Sequence, residues 1–73
     1  LALTIRIKLK EVLEKRGLTQ TQLAEISGVR RPSISELATG ARTTINKQHL
    51  IKIMEALNIT DITEIIEVVE TKG

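Results

Sequence analysis

The segment Thr19-Gln-Thr-Gln-Leu-Ala-Glu-Ile-Ser-Gly-Val-Arg-Arg-Pro-Ser-Ile-Ser-Glu-Leu37 constrains this chain more than any other. It contains two short apolar helical patterns separated by Gly28 and Val29. Thr19 is a good N-cap, and Thr19 with Gln22 matches a capping box, so the first helix runs from Gln20 to Ser27. Leu23, Ala24 and Ile26 are expected on its buried side. Gly28 supplies the positive φ of a sharp bend. Pro32 suits the first turn of a helix, where its missing N–H is not needed. Proline also biases Arg31 away from helical geometry, so Arg31 is expected to be the N-cap of a helix over residues 32–39. Ile34 and Leu37 then turn inward and lock the second helix onto the first. Ala24 is small where the two would cross. A short helix, a glycine turn and a second short helix is the helix-turn-helix arrangement, placed here at residues 19–38.

The rest of the chain is read as three more helices, giving an all-α, five-helix domain over residues 1–73. Ile5, Leu9, Val12 and Leu13 fall on one helical face, so a first helix is expected from Ile5 to Arg16. Leu3, Ile5, Ile7 and Leu9 also alternate as in a strand. Helix is preferred because the pattern continues past Leu9 at helical spacing, leaving residues 1–4 as candidates for extended chain. Asn46 caps a fourth helix, Lys47 to Leu57, with Leu50, Ile53, Met54 and Leu57 inward and Asn58 as a left-handed stop. Asp61 and Glu64 match a second capping box. They predict a fifth helix over residues 61–70, with Ile62, Ile65, Ile66 and Val69 as its stripe.

Composition removes several function classes. The 73 residues contain no cysteine and one histidine, so no thiolate or histidine-rich metal site is expected. Phe, Trp and Tyr are absent, which excludes recognition by stacking of bases on aromatic rings. No cluster of His, Cys or paired carboxylates has a usable catalytic spacing, so no enzyme activity and no cofactor is expected. No apolar run reaches the ~20 residues of a membrane span. Arg6, Lys8 and Lys10 interrupt any signal-peptide core. A cytoplasmic protein without a membrane association is therefore expected. Residues 1–35 carry seven basic and three acidic side chains, and residues 36–73 carry four basic and six acidic. That asymmetry suits one face for a polyanion and another for something else.

At these residues the sequence resembles the lambda-repressor-like (Xre/Cro-type) regulators of bacteria and phages. The matching pieces are Gly17-Leu18-Thr19-Gln20, Gln22-Leu23-Ala24, Gly28-Val29, Ser33-Ile34-Ser35, Leu37, Gly40 and Glu55-Ala56-Leu57-Asn58-Ile59. They extend over the chain from about Ile5 to Val69. The resemblance implies duplex DNA as partner and a second short helix inserted in the major groove. It places Arg31, Pro32, Ser35 and Glu36 at base edges, with Arg30 close by. It places Gln20 and Ser33 on phosphates, with Arg42, Thr43, Thr44, Asn46 and Lys47 as a second backbone clamp. Arginine reads guanine through O6 and N7, and glutamate accepts from cytosine N4. Pro32 can only touch a thymine methyl or set the helix start. The family's frequent Arg–Glu pair between its first and third helices is replaced by Leu13 and Ala38. An apolar contact is expected there, with Arg16 or Lys10 taking over the lost phosphate contact.

The expected fifth helix carries more apolar residues than a core needs. Ile66, Val68 and Val69, with Leu1 and Leu3, are candidates for a homodimer interface. An alternative reading gives helix 61–70 to a partner protein, in the manner of an antitoxin-like adaptor. The length leaves no room for an effector domain, so no small-molecule effector is expected.

Overall fold

Four α-helices and one two-stranded antiparallel sheet make up the residues that the computed structural model describes, 1–41 and 44–71. Strand β1 (Ala2–Ile7) leads into α1 (Leu9–Arg16), α2 (Gln20–Ser27), α3 (Arg31–Thr39) and α4 (Lys47–Leu57). A single 3₁₀ turn (Ile62–Glu64) then precedes strand β2 (Ile66–Thr71). The core is wholly aliphatic. Leu9 and Leu13 of α1, Leu23 of α2, Ile34 of α3, and Leu50, Ile53 and Leu57 of α4 are buried, joined by Val29, Ile59 and Ile65 from the connections.

The caps follow the side-chain chemistry of the sequence. Thr19 Oγ1 accepts from the Gln22 amide at 3.1 Å, and Gln22 Oε1 accepts from the Thr19 amide at 2.9 Å. The capping box is therefore complete, and α2 starts at one register only. Thr19→Ala should lower the unfolding free energy by about 0.5–2 kcal/mol, read from the urea midpoint. Asn46 Oδ1 accepts from the amides of Gln48 and His49 and so fixes the start of α4. Asn58, at φ +60°, ends that helix in the left-handed region as expected.

The two ends of the chain correct the all-α, five-helix expectation. Residues 2–7 are a strand, and the first helix begins at Leu9 rather than Ile5. Residues 66–71 are also a strand, so no helix runs from 61 to 70. The strands pair in antiparallel register, with Ile7 opposite Ile66 and Ala2 opposite Thr71. The physical reason is that each end has a partner the local pattern cannot reveal. Ile65, Ile66, Val68, Val69 and Thr71 are β-branched and fit a pleated surface better than a helix. The Asp61 signal is real but opens only a 3₁₀ turn. Its carboxylate accepts from the Thr63 hydroxyl and amide. Those hydrogen bonds, the hydroxyl's first, hold the Asp61 carboxyl below the usual carboxylate range.

The ribbon is tied to the helices at its inner end. The Lys8 amide donates to the Ile65 carbonyl at 2.6 Å, and Ile7 and Ile66 pack against the core. Arg6 bridges three elements, reaching Glu67 across the ribbon at 3.0 Å and Glu11 on α1 at 3.2 Å. Three further expectations about burial change. Ile5 and Ile62 are exposed because their segments are not the helices they were assigned to, and Ile26 faces outward from α2. Leu13 is buried and Ala38 packs against the same core, as the expected apolar replacement requires.

Candidate nucleic-acid interface

Two short helices joined by a left-handed glycine hold one surface in place. Gly28 has φ +74°, a conformation that other residues adopt only with strain. Its amide donates to the Ala24 carbonyl, closing α2. The Val29 amide donates to Ser27 Oγ, and the Val29 side chain is buried, so the turn is pinned from inside. From there α3 enters with Ile34 fully buried and Leu37 packed on the core. The opposite side of α3 is left facing outward.

The helix starts one residue earlier than expected. Arg30 is the N-cap, in extended geometry, and Arg31 is the first helical residue, with Pro32 second. The Arg30 carbonyl accepts from the amides of Ser33 and Ile34. Pro32 costs nothing there because the first amides of a helix have no internal partner. The proline bias against helical geometry at the preceding residue is overridden by the inward anchor of Ile34.

Arg30, Arg31 and Pro32 are exposed at this N-terminus. Among the described residues no ion pair or side-chain hydrogen bond engages either arginine. The chain's other described arginines are occupied. Arg6 is held by two carboxylates, and Arg16 Nη1 donates to the Leu57 carbonyl at the end of α4. Arg16 therefore serves as a tie between α1 and α4, a role that nothing in the local sequence announces. Ser33, Ser35 and Glu36 are half-buried on α3, and Glu36 already has a partner.

The phosphate candidates lie at helix starts. Gln20 is the first residue of α2, where the amides of Gln20 and Thr21 precede the one that Thr19 caps. Such amides, with the positive end of the helix dipole, favour an anion. Thr44 and Lys47 are exposed beside the start of α4, and Asn46 has its side-chain oxygen committed to capping. Arg42 and Thr43 lie outside the described residues. Ile66 and Val69 are half-buried on β2 and Val68 is exposed there, so these three sit on a strand and not a helix.

A buried inner face on α3, a glycine turn and an exposed cationic start define the class: a helix-turn-helix DNA-binding domain. The helix-turn-helix family model (HTH_3) matches residues 9–65, and the chain belongs to that lambda-repressor-like (Xre-like) family. The family is one of DNA-binding regulatory domains rather than enzymes. The matched segment starts with α1 and ends at Ile65, so neither strand of the ribbon falls within it. No curated protein and no solved structure matches the chain. No helix among the described residues is long and apolar enough to cross a membrane.

Proposed function

We propose that this protein is a sequence-specific transcriptional regulator that acts as a repressor by laying α3 in the major groove of duplex DNA. The observation that carries this reading is the pair of exposed, unengaged guanidinium groups at the start of a helix anchored from inside by Ile34. A guanidinium fork matches the O6 and N7 acceptors of guanine. In this reading Arg31, Ser35 and Glu36 read base edges, with Arg30 beside them and Pro32 against a thymine methyl. Gln20 and Ser33 hold one stretch of backbone. Thr44, Lys47 and the Asn46 amide group, with Arg42 and Thr43, hold another. Occupying the groove blocks transcription by exclusion, in the cytoplasm of a bacterium or a phage-infected cell. The protein works as a homodimer, presenting two α3 helices to successive major grooves ~34 Å apart.

Binding to a pool of random duplexes, followed by fluorescence anisotropy, tests the reading. Affinity should fall linearly on a log–log plot against salt, with a slope near −0.9 for each phosphate neutralised. Selection from the pool should return paired half-sites. An absence of binding at low salt and high protein concentration would sink the proposal.

A further inference from the structure

Strand β2 has an outer edge that carries unused backbone groups. The Lys8 amide donates to the Ile65 carbonyl, and in an antiparallel pair the mutually bonded positions alternate along the strand. With the register of the ribbon, Arg6–Glu67, Thr4–Val69 and Ala2–Thr71 are the pairs that bond each other. Ile66, Val68 and Glu70 therefore turn their N–H and C=O groups outward, away from β1. No hydrogen bond engages those groups among the described residues. The outer edge of β1 is different. Grooves on both faces of β1 run to Gly40, so the end of α3 stands against that edge. The free edge of β2 lies on the side of the ribbon away from α3. A strand added there leaves Ser33, Ser35 and Glu36 uncovered.

We propose that the free edge of β2 pairs with the β2 edge of a second copy, joining the two ribbons into one four-stranded antiparallel sheet in the order β1-β2-β2-β1. This names the contact behind the homodimer in the functional reading above and rests on that reading. A two-fold interface must be complementary to itself, and an antiparallel strand edge is so by construction. Centred on Val68, the rotation sets Val68 against Val68 of the second copy and Ile66 against its Glu70. These are the residues whose backbone groups point outward, so each facing pair can exchange both bonds. Side-chain charge fits this register. Glu67 faces Val69 of the second copy, and no glutamate stands directly opposite another. A rotation centred on Glu67 would bring two carboxylates face to face, which destabilises a sheet. Arg6 holds the carboxylate of each Glu67.

Side-chain rows and local stability point the same way. Ile5 and Val68 stand directly opposite each other and are 57% and 63% exposed. In the four-stranded sheet they continue into Val68 and Ile5 of the second copy, an unbroken row of β-branched neighbours on one face. Such cross-strand pairs are what stabilise a sheet. A two-stranded ribbon alone is marginal in water, and more strands or a covered face are needed. Here only the inner end, at Ile7 and Ile66, is held by the core. Exposed edges are usually blunted by proline, lysine or a bulge. β2 runs regularly over six residues with none of these, and Glu67 and Glu70 are its only charges. The ribbon lies outside the segment matched by the family model, so this edge is an addition to the DNA-binding unit. Three strand spacings set the two β1 strands ~14 Å apart, with an α3 beyond each. Pairing thus holds the two α3 helices on the outer flanks, on the scale of the ~34 Å between successive major grooves.

Sedimentation equilibrium and amide hydrogen exchange of the full chain, from about 1 to 100 µM, test the edge. The parent protein should be a dimer, with the Val68 amide protected in the dimer and fast in the monomer. Val68→Pro removes an N–H that β1 does not use, so the Arg6 and Glu67 amides should stay protected. It deletes both central bonds of the pairing and should weaken it by about 100-fold or more. Val68→Lys keeps every backbone group but sets two ammonium groups face to face, and it should weaken pairing as well. Leu3→Lys changes the outer strand and should remain dimeric. Val68→Pro should keep its affinity for a single half-site and lose only the gain from a paired site. A dimer whose Val68 amide exchanges freely, or one that survives both Val68 variants, overturns the edge and leaves the DNA-binding reading standing. A parent protein that is a monomer at the top of the range, or a Val68 amide protected only by a different protein, overturns pairing itself. Edge pairing without any binding to duplex DNA would overturn the functional reading and keep the edge.

Discussion

Ile34→Ala should lower the unfolding free energy by about 2–5 kcal/mol. Domains are stable by roughly 0.05–0.15 kcal/mol per residue, so this is a large share of what a chain of this length has. Ile34 is fully buried at the junction of the two helices, in one cluster with Leu23, Val29 and Ile53. Truncation removes apolar contact and leaves a cavity that a core of Leu, Ile and Val fills poorly. The chain has no aromatic side chain to reposition into it. Ile34→Val removes one methylene and should cost only about 0.5–1.5 kcal/mol. Urea midpoints of the three proteins give the comparison directly. DNA affinity should fall only as far as the folded fraction falls, and a stabilising osmolyte should restore it. A loss of less than 1 kcal/mol in Ile34→Ala would mean that α3 is not locked from inside, and the outward placement of Arg31 would lose its support.

The middle of the chain is legible because its signals are local. Thr19 and Gln22 cap each other three residues apart, Gly28 needs only its own backbone, and Asn46 and Asn58 bracket α4 with no help from elsewhere. The ends are not legible for the opposite reason. Ile7 and Ile66 are strand residues because they meet, and nothing near either in the sequence says so. Burial on β2 even mimics a helix, since Ile66 and Val69 are the half-buried pair at a spacing of three. They lie on opposite faces of the strand, Ile66 toward the core and Val69 toward the end of α3. The alternation of Leu3, Ile5 and Ile7 marks β1, but it runs without a break into the helical spacing of Leu9, Val12 and Leu13, which masks it. The site divides similarly. Arg30 and Arg31 are marked by the proline and glycine around them. Arg16 and Arg6 look equally basic in sequence, yet distant groups on α4 and β2 take them out of the candidate surface.

Arg31→Ala should reduce affinity for the preferred duplex by about 5- to 150-fold, equivalent to about 1–3 kcal/mol. The unfolding free energy should stay within about 0.5 kcal/mol of the parent value, because the side chain is exposed and engages no other group. Arg31→Lys separates the two things an arginine can do here. Lysine keeps the charge but lacks the planar fork, so a phosphate contact survives the change and a paired contact to guanine does not. A base-reading Arg31 therefore predicts that both variants relax selection at one base-pair position, while Arg31→Lys leaves the salt slope unchanged. A backbone-bound Arg31 predicts the reverse: uniform weakening across sequences in Arg31→Ala, a slope reduced by about 1, and near-parent behaviour in Arg31→Lys. Arg30→Ala is the natural comparison, since Arg30 precedes the helix as its N-cap and its side chain is not fixed by a helical turn. The larger loss of base preference should fall on Arg31, whose backbone is held in the helix that Ile34 anchors.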